Sequence, residues 1–317
     1  MHGTIQDKGR AYCLYPIFAL QWKYHQKEAF HYFNISLEYT MSAGDRIYNA
    51  FSSVWLSLSK FFTGHNLNDT IRISEQGFEE IHSWSSTLDH NSLIMCVIRA
   101  CKALQGKTYV DTPQVFDGDD GFNDEHFLEE SCRHVANPEI LLNWYESFKI
   151  VPLVLYGHLD EAIEIGYRCF ATIEGHPCHR HTRLMAMYFS LVLIEKARRD
   201  LKNRKIYIDQ VQKNQGLIYE WMVQTPINYG MSWTLVEAEL SSVETPLDVV
   251  KTGQLYEEAI NLAREGSWYL ELCIIHEYAG AFYNSIGFQN VSYGLIKKVC
   301  NTPTYIHKTV VLSIFFQ

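Results

Sequence analysis

The stretch GQLYEEAINLAREGSWYLELCIIHEYAGAFYNSIG, residues 253–287, decides the fold class. Its apolar residues recur at three- and four-residue intervals, the spacing that gathers them on one side of an α-helix. It reads as the greater part of two consecutive helices, 248–265 and 268–285. At Ala259 a small residue follows an acidic one, which lets a neighbouring helix approach closely. The same arrangement recurs in KEAFHYF at Ala29 and in DEAIEIGYRCF at Ala162. Helix starts of this kind, followed by aromatic or aliphatic residues on the same face, are the second-helix pattern of tetratricopeptide-like (TPR-like) pairs, whose period is about 34 residues. The three alanines lie close to, but not at, whole multiples of that period, so the repeats have drifted. The sequence predicts an all-α fold, a tandem helix-pair (TPR-like) α-solenoid, over an irregular helical bundle in which alanine is simply a good helix former.

Working outward, HQKEAFHYFNISLEYT at 25–40 ends at SAGD, where Gly44 can take the left-handed stop and Asp45 can cap the next helix, IYNAFSSVWLSLSKFF at 47–62. A second pair follows at 67–84 and 91–104. Further helices are expected near 125–136, 139–156, 159–172, 180–201, 205–223, 229–241 and 289–300. The domain reading is a lead-in over 1–19, a first group of helix pairs over 20–110 and a second group over 125–300. Between the groups, DTPQVFDGDDGFND at 111–124 reads as a flexible acidic loop. The last stretch, TPTYIHKTVVLSIFFQ, breaks the helical pattern, so 301–317 is set apart as an atypical tail.

The balance of 27 basic against 36 acidic side chains in 317 residues leaves a net charge of -9, which opposes a phosphate backbone or an anionic lipid surface. Nucleic acid and membrane are therefore not expected partners. No apolar run approaches the ~20 residues of a membrane-spanning helix. Eight cysteines sit without paired spacing and no secretory h-region precedes them, which predicts reduced thiols and a cytoplasmic location. The sequons at Asn34, Asn68 and Asn290 then read as chance matches.

The densest cluster of chemistry-bearing residues is His176-Pro177-Cys178-His179-Arg180-His181. The side chains of His176, Cys178, His179 and His181 are types that zinc accepts, but a zinc site normally needs a second ligand group elsewhere and none is spaced for it. The favoured reading is a helix start with Pro177 in the first turn and no metal; the rival is a small metal-dependent enzyme. Asp117-Gly118-Asp119-Asp120-Gly121 resembles a calcium loop, yet fixing Gly121 as the sixth position puts Phe116 where a carboxylate is required. His276-Glu277 begins like a zincin, but Gly280 stands where the second histidine belongs, so the pair is read as lying on the surface or at a repeat joint. No phosphate-binding glycine motif, kinase catalytic loop or nucleophile elbow occurs. No catalytic residue and no cofactor are assigned. The seven tryptophans, among them Trp55, Trp84, Trp144, Trp221, Trp233 and Trp268, read chiefly as packing, with some, like the tyrosines, placed to anchor partners on an extended concave surface.

Several phrases together resemble the long helical region of fungal hybrid histidine kinases. They are SAGDRIYNAF at 42–51, IRACKALQGKT at 98–108, LNWYESFKIVPLVLYGHLDEAIEIG at 142–166, GHPCHRHTR at 175–183, PINYGMSWTLVEAEL at 226–240 and the 253–287 stretch quoted first. The resemblance spans residues 20–295 and its specificity lies in the combination. It implies a segment preceded by a serine/threonine-kinase-like part and an AAA-type ATPase, and followed by GAF sensor, histidine-kinase and receiver domains. None of their motifs is present here, so no catalytic role is carried to any residue. The implied function is a non-catalytic interaction and relay segment, with the flanking ATPase and sensor-kinase domains as protein partners and a free-standing adaptor as the alternative. The departure at IHKTVVLSIFFQ leads to the expectation of a fragment or a misjoined gene.

Overall fold

The computed structural model describes residues 3–64, 66–84 and 88–300; the atypical tail at 301–317 lies outside the described residues. Fourteen α-helices and no strand occur among the described residues. They are α1 (Ile5–Phe18), α2 (Ala29–Ser42), α3 (Arg46–Phe62), α4 (Leu67–Trp84), α5 (Leu88–Leu104), α6 (Asp124–His134) and α7 (Pro138–Leu155), then α8 (Leu159–Ala171), α9 (His181–Arg199), α10 (Arg204–Met222), α11 (Pro226–Ser242), α12 (Val249–Glu265), α13 (Tyr269–Ser285) and α14 (Gln289–Cys300). None is long and apolar enough to cross a membrane.

Local chemistry explains the ends. Gly44 takes φ 67° after α2, and Asp45 Oδ1 accepts the Tyr48 amide, as the sequence predicts. Asn123 and Asp248 cap α6 and α12 in the same way. Within the predicted lead-in, residues 5–18 form α1, where Thr4 and Asp7 make a capping box that satisfies the first amides. Pro226 opens α11 three residues earlier than the sequence reading, because a proline at the first helical position loses no hydrogen bond there.

The helices form two layers. The odd-numbered helices touch in series, α3 to α5, α7, α9, α11 and α13, while the even-numbered ones pack mainly on their neighbours in the chain. Burial follows: α9 is buried on every side from His181 to Ile194, whereas α10 and α12 bury one face each. Ala29, Ala162 and Ala259 are fully buried at close helix contacts. At Gly166 of α8, a β-carbon would lie 2.2 Å from the Phe189 ring of α9, so that crossing requires the absent side chain.

One core runs from Ala50 on α3 to Leu295 on α14, so the two predicted groups share it across the acidic loop. That loop is not free: Val115 and Phe116 are fully buried, and Arg99 of α5 holds the Phe116 carbonyl at 2.6 Å and Asp120 at 2.6 Å. The odd helices turn until the end of α3 meets the start of α13, where a β-carbon on Gly64 would lie 2.7 Å from the Leu270 amide nitrogen. The space they enclose is filled with rings. Phe61 and Phe62 pack on Phe148 at 5.0 and 5.5 Å, and Trp55 meets Trp144 edge-on at 5.6 Å. Trp144, Trp221 and Trp268 are buried, in line with the reading of the tryptophans chiefly as packing.

Candidate functional site

The histidine cluster lies in the connection between α8 and α9, at the rim where α9, α11 and α13 begin. His176 and His181 are buried, His179 is half-buried and Cys178 is exposed. Pro177 precedes α9 by four residues and does not lie in its first turn. The structure brings the three imidazoles together, with ring centroids 4.8 Å (His176 to His181), 5.9 Å (His179 to His181) and 6.0 Å (His176 to His179) apart. Trp144 stacks on His181 at 3.5 Å, and Trp55 stacks on His179 at 5.9 Å. His181 Nε2 lies 3.0 Å from Asn143 Oδ1, which fixes the tautomer with the proton on Nε2.

Burial keeps all three rings neutral. It pushes His176 down to about 4, holds His181 well below the ordinary imidazole range and lowers His179. A metal-ligating imidazole usually donates its second nitrogen to a carboxylate or carbonyl that orients it. His181 spends that donor on an amide, and no carboxylate is among the groups that shift the three. Among the described residues no set of three or more His, Cys, Asp or Glu is arranged to hold a metal ion. The cluster is suited to packing: flat, uncharged rings seated on indole faces, joining α3, α7 and α9.

The connection between α1 and α2, residues 19–28, crosses the same rim. Asn228 donates to the carbonyls of Gln21 and Tyr24, both at 2.9 Å, and accepts the Gln26 amide at 3.1 Å. Arg180 donates to Gln26 Oε1 at 3.0 Å, and His25 stacks on Trp268 at 4.5 Å. The connection between the first two helices is thus tied to the start of α11 through hydrogen bonds from the Asn228 side chain to its main chain.

His276 and Glu277 are buried in α13, not on the surface; of the two sequence readings only the joint survives. Two carboxyls of that helix have no countercharge in contact. Burial raises Glu271 to about 7, with Arg180 opposing the rise, and raises Glu277 to about 8 with no opposing group. Glu271 Oε2, Glu277 Oε1 and the buried Tyr188 hydroxyl lack hydrogen-bond partners among the described residues.

The opposite rim carries an opening. Gly157, Arg199, Ser242 and Ser285, at the carboxyl ends of α7, α9, α11 and α13, line one cavity of about 210 Å³. Val154, Val192, Tyr278 and Phe282 form its apolar wall. Arg198 crosses it, donating to Glu195 at 2.9 Å, Glu239 at 2.5 Å and Ser242 Oγ at 2.6 Å; Tyr256 also hydrogen-bonds Glu239. An adjoining hollow shares Gly157, Leu159 and Arg199 and adds Asp160, Glu161 and Asp200. Sequence reading missed this opening because its residues come from four helix ends with no local motif.

No family model matches this chain, and no curated protein matches it in sequence.

Proposed function

We propose that the chain is a TPR-like α-solenoid acting as an interaction and relay segment in two-component signalling. In this reading it stands between an AAA-type ATPase and the sensor-kinase output of a fungal hybrid histidine kinase, in the cytoplasm, and works by binding proteins. The observation that carries the reading is the serial contact of the odd-numbered helices, each backed by a partly exposed even-numbered one. Stacked pairs of this kind transmit a change at one end through nearest-neighbour contacts and present long surfaces to partners. The phrases at 142–166, 175–183 and 226–240 fall on α7, α9, α11 and their junctions, where one helix meets the next.

The test is direct binding of the purified chain to purified ATPase and sensor-kinase segments at low salt. Micromolar association with one of them is the expected result, without ATP hydrolysis or phosphate uptake by the chain alone. Failure to bind any flanking segment at micromolar concentration, or ATP turnover that follows the chain through purification, would overturn the reading.

A further inference from the structure

We propose that the cavity at the carboxyl ends of α7, α9, α11 and α13 is a docking site for a basic peptide segment that inserts one large apolar side chain. The inference deepens the reading of the chain as an interaction segment and rests on it. Because the centre of the stack is filled with rings, an incoming side chain finds space at the rim. The cavity there measures about 210 Å³ and is walled by Val154, Val192, Tyr278 and Phe282. An apolar cavity of about 150 Å³ already accepts benzene, so this one has room for a phenylalanine or leucine side chain.

The charge around the mouth selects what flanks that anchor. Four helices end here, which brings the negative ends of four helix dipoles to one rim, with the carbonyls of Leu153, Lys196, Ser241 and Tyr283 already bonded by the amides that follow each helix. The positive start of α8 also faces this rim, but Asp160 and Glu161 in its first turn already answer it. The side chains at the mouth and in the adjoining hollow comprise Asp160, Glu161, Glu195, Asp200 and Glu239 against Lys196, Arg198 and Arg199. The arginines are engaged, Arg198 with Glu195, Glu239 and Ser242, and Arg199 with Glu195. Lys196 is held by Asp160 at 2.6 Å. Five carboxylates against three bases leave the rim an excess of two negative charges, which the neutral donors on Asp200, from Asn203 and Tyr207, do not cancel. A lysine or arginine beside the apolar anchor therefore meets net negative charge there and an acidic segment meets repulsion.

The probe is a fluorescein-labelled peptide, Gly-Gly-Lys-Phe-Arg-Lys, titrated with the full chain by fluorescence anisotropy. Two control peptides carry serine for the phenylalanine, or glutamates for the three basic residues. Micromolar binding of the probe that weakens as salt rises, with both controls at least about tenfold weaker, is expected. Ala281→Trp, at a partly exposed position lining the cavity, fills it and should weaken the probe about tenfold or more with the helical circular dichroism unchanged. Ser285→Trp at the exposed rim repeats the test should the first variant fold poorly. Equal binding of either control peptide, no binding of the probe, or wild-type affinity in a folded filled variant would overturn the site. A filled variant that still binds the kinase segments as the wild type does likewise overturns this site and leaves the proposed function standing. Probe binding at the cavity by a chain that binds no kinase segment supports the site and sinks that function.

Discussion

Replacing Glu277 by glutamine should raise stability in a strongly pH-dependent way. The carboxyl is buried in α13 with one oxygen unpaired, and burial alone pushes it up from 4.5 to about 8. In the unfolded chain the group loses its proton near 4.5, while in the native state it keeps it to about 8. Between those values the native state binds more protons at this group, so the contribution of Glu277 is full below pH 4.5 and is lost as the pH rises through 8. At 1.36 kcal/mol per unit, the cost at pH 7 is about 3 kcal/mol against a total of about 5–15 kcal/mol. Glutamine keeps the shape and removes the titration. Urea unfolding of both proteins at pH 5, 6, 7 and 8 should show them within about 1 kcal/mol at pH 5 and separated by about 3 kcal/mol at pH 7. A difference that stays constant across that range would refute the assignment of a buried, uncompensated carboxyl.

On the acid side the imidazoles act in the opposite sense. Burial lowers His25 and His176 from 6.5 to about 4, so their contribution is full above pH 6.5 and is lost as the pH falls through 4; His176→Gln should flatten the fall in urea midpoint over that window. Ala162→Asp and Ala259→Asp each place a carboxylate at a fully buried helix contact and should cost about 3–5 kcal/mol. Unchanged melting temperatures would remove those alanines from the packing argument. Gly166→Ala drives a methyl into the Phe189 ring and should cost about 1–3 kcal/mol, a cost that should largely vanish when the same substitution is made in a Phe189→Ala background. Asn228→Ala leaves two carbonyls and one amide of residues 21–26 without their partner; a loss of about 3 kcal/mol with faster hydrogen exchange confined to 19–28 is expected, and an unchanged exchange pattern would show that the connection between α1 and α2 holds without it.

The helices were legible because their signals are local. Apolar spacing places α7, α8, α10, α12 and α13 within a residue or so of their ends, and Gly44 with Asp45 marks the first hairpin as read. Where local signals are weaker the reading slipped. The capping box at Thr4 and Asp7 lies in a helix with only four buried residues, so the apolar stripe that would have announced α1 is faint. Pro177 resembled a helix start because proline suits that position, yet the chain makes another turn before α9 begins.

Burial and assembly belong to the tertiary structure. His276 and Glu277 could be read as a surface pair because spacing shows which residues share a face but not how many faces a helix buries; α13 is enclosed on all sides from Cys273 to Gly280. The acidic loop read as free because its polar residues are frequent, while the two that decide its fate, Val115 and Phe116, go to the core. The rim cavity draws on residues from 154 to 285 that are neighbours only because four helices end at one level. Helix formation depends on contacts three and four residues apart, which a single sequence displays. Which helix ends meet, and what is shut in between them, depends on how the pairs turn as they stack, and that rotation is set by side-chain contacts between residues far apart in the chain.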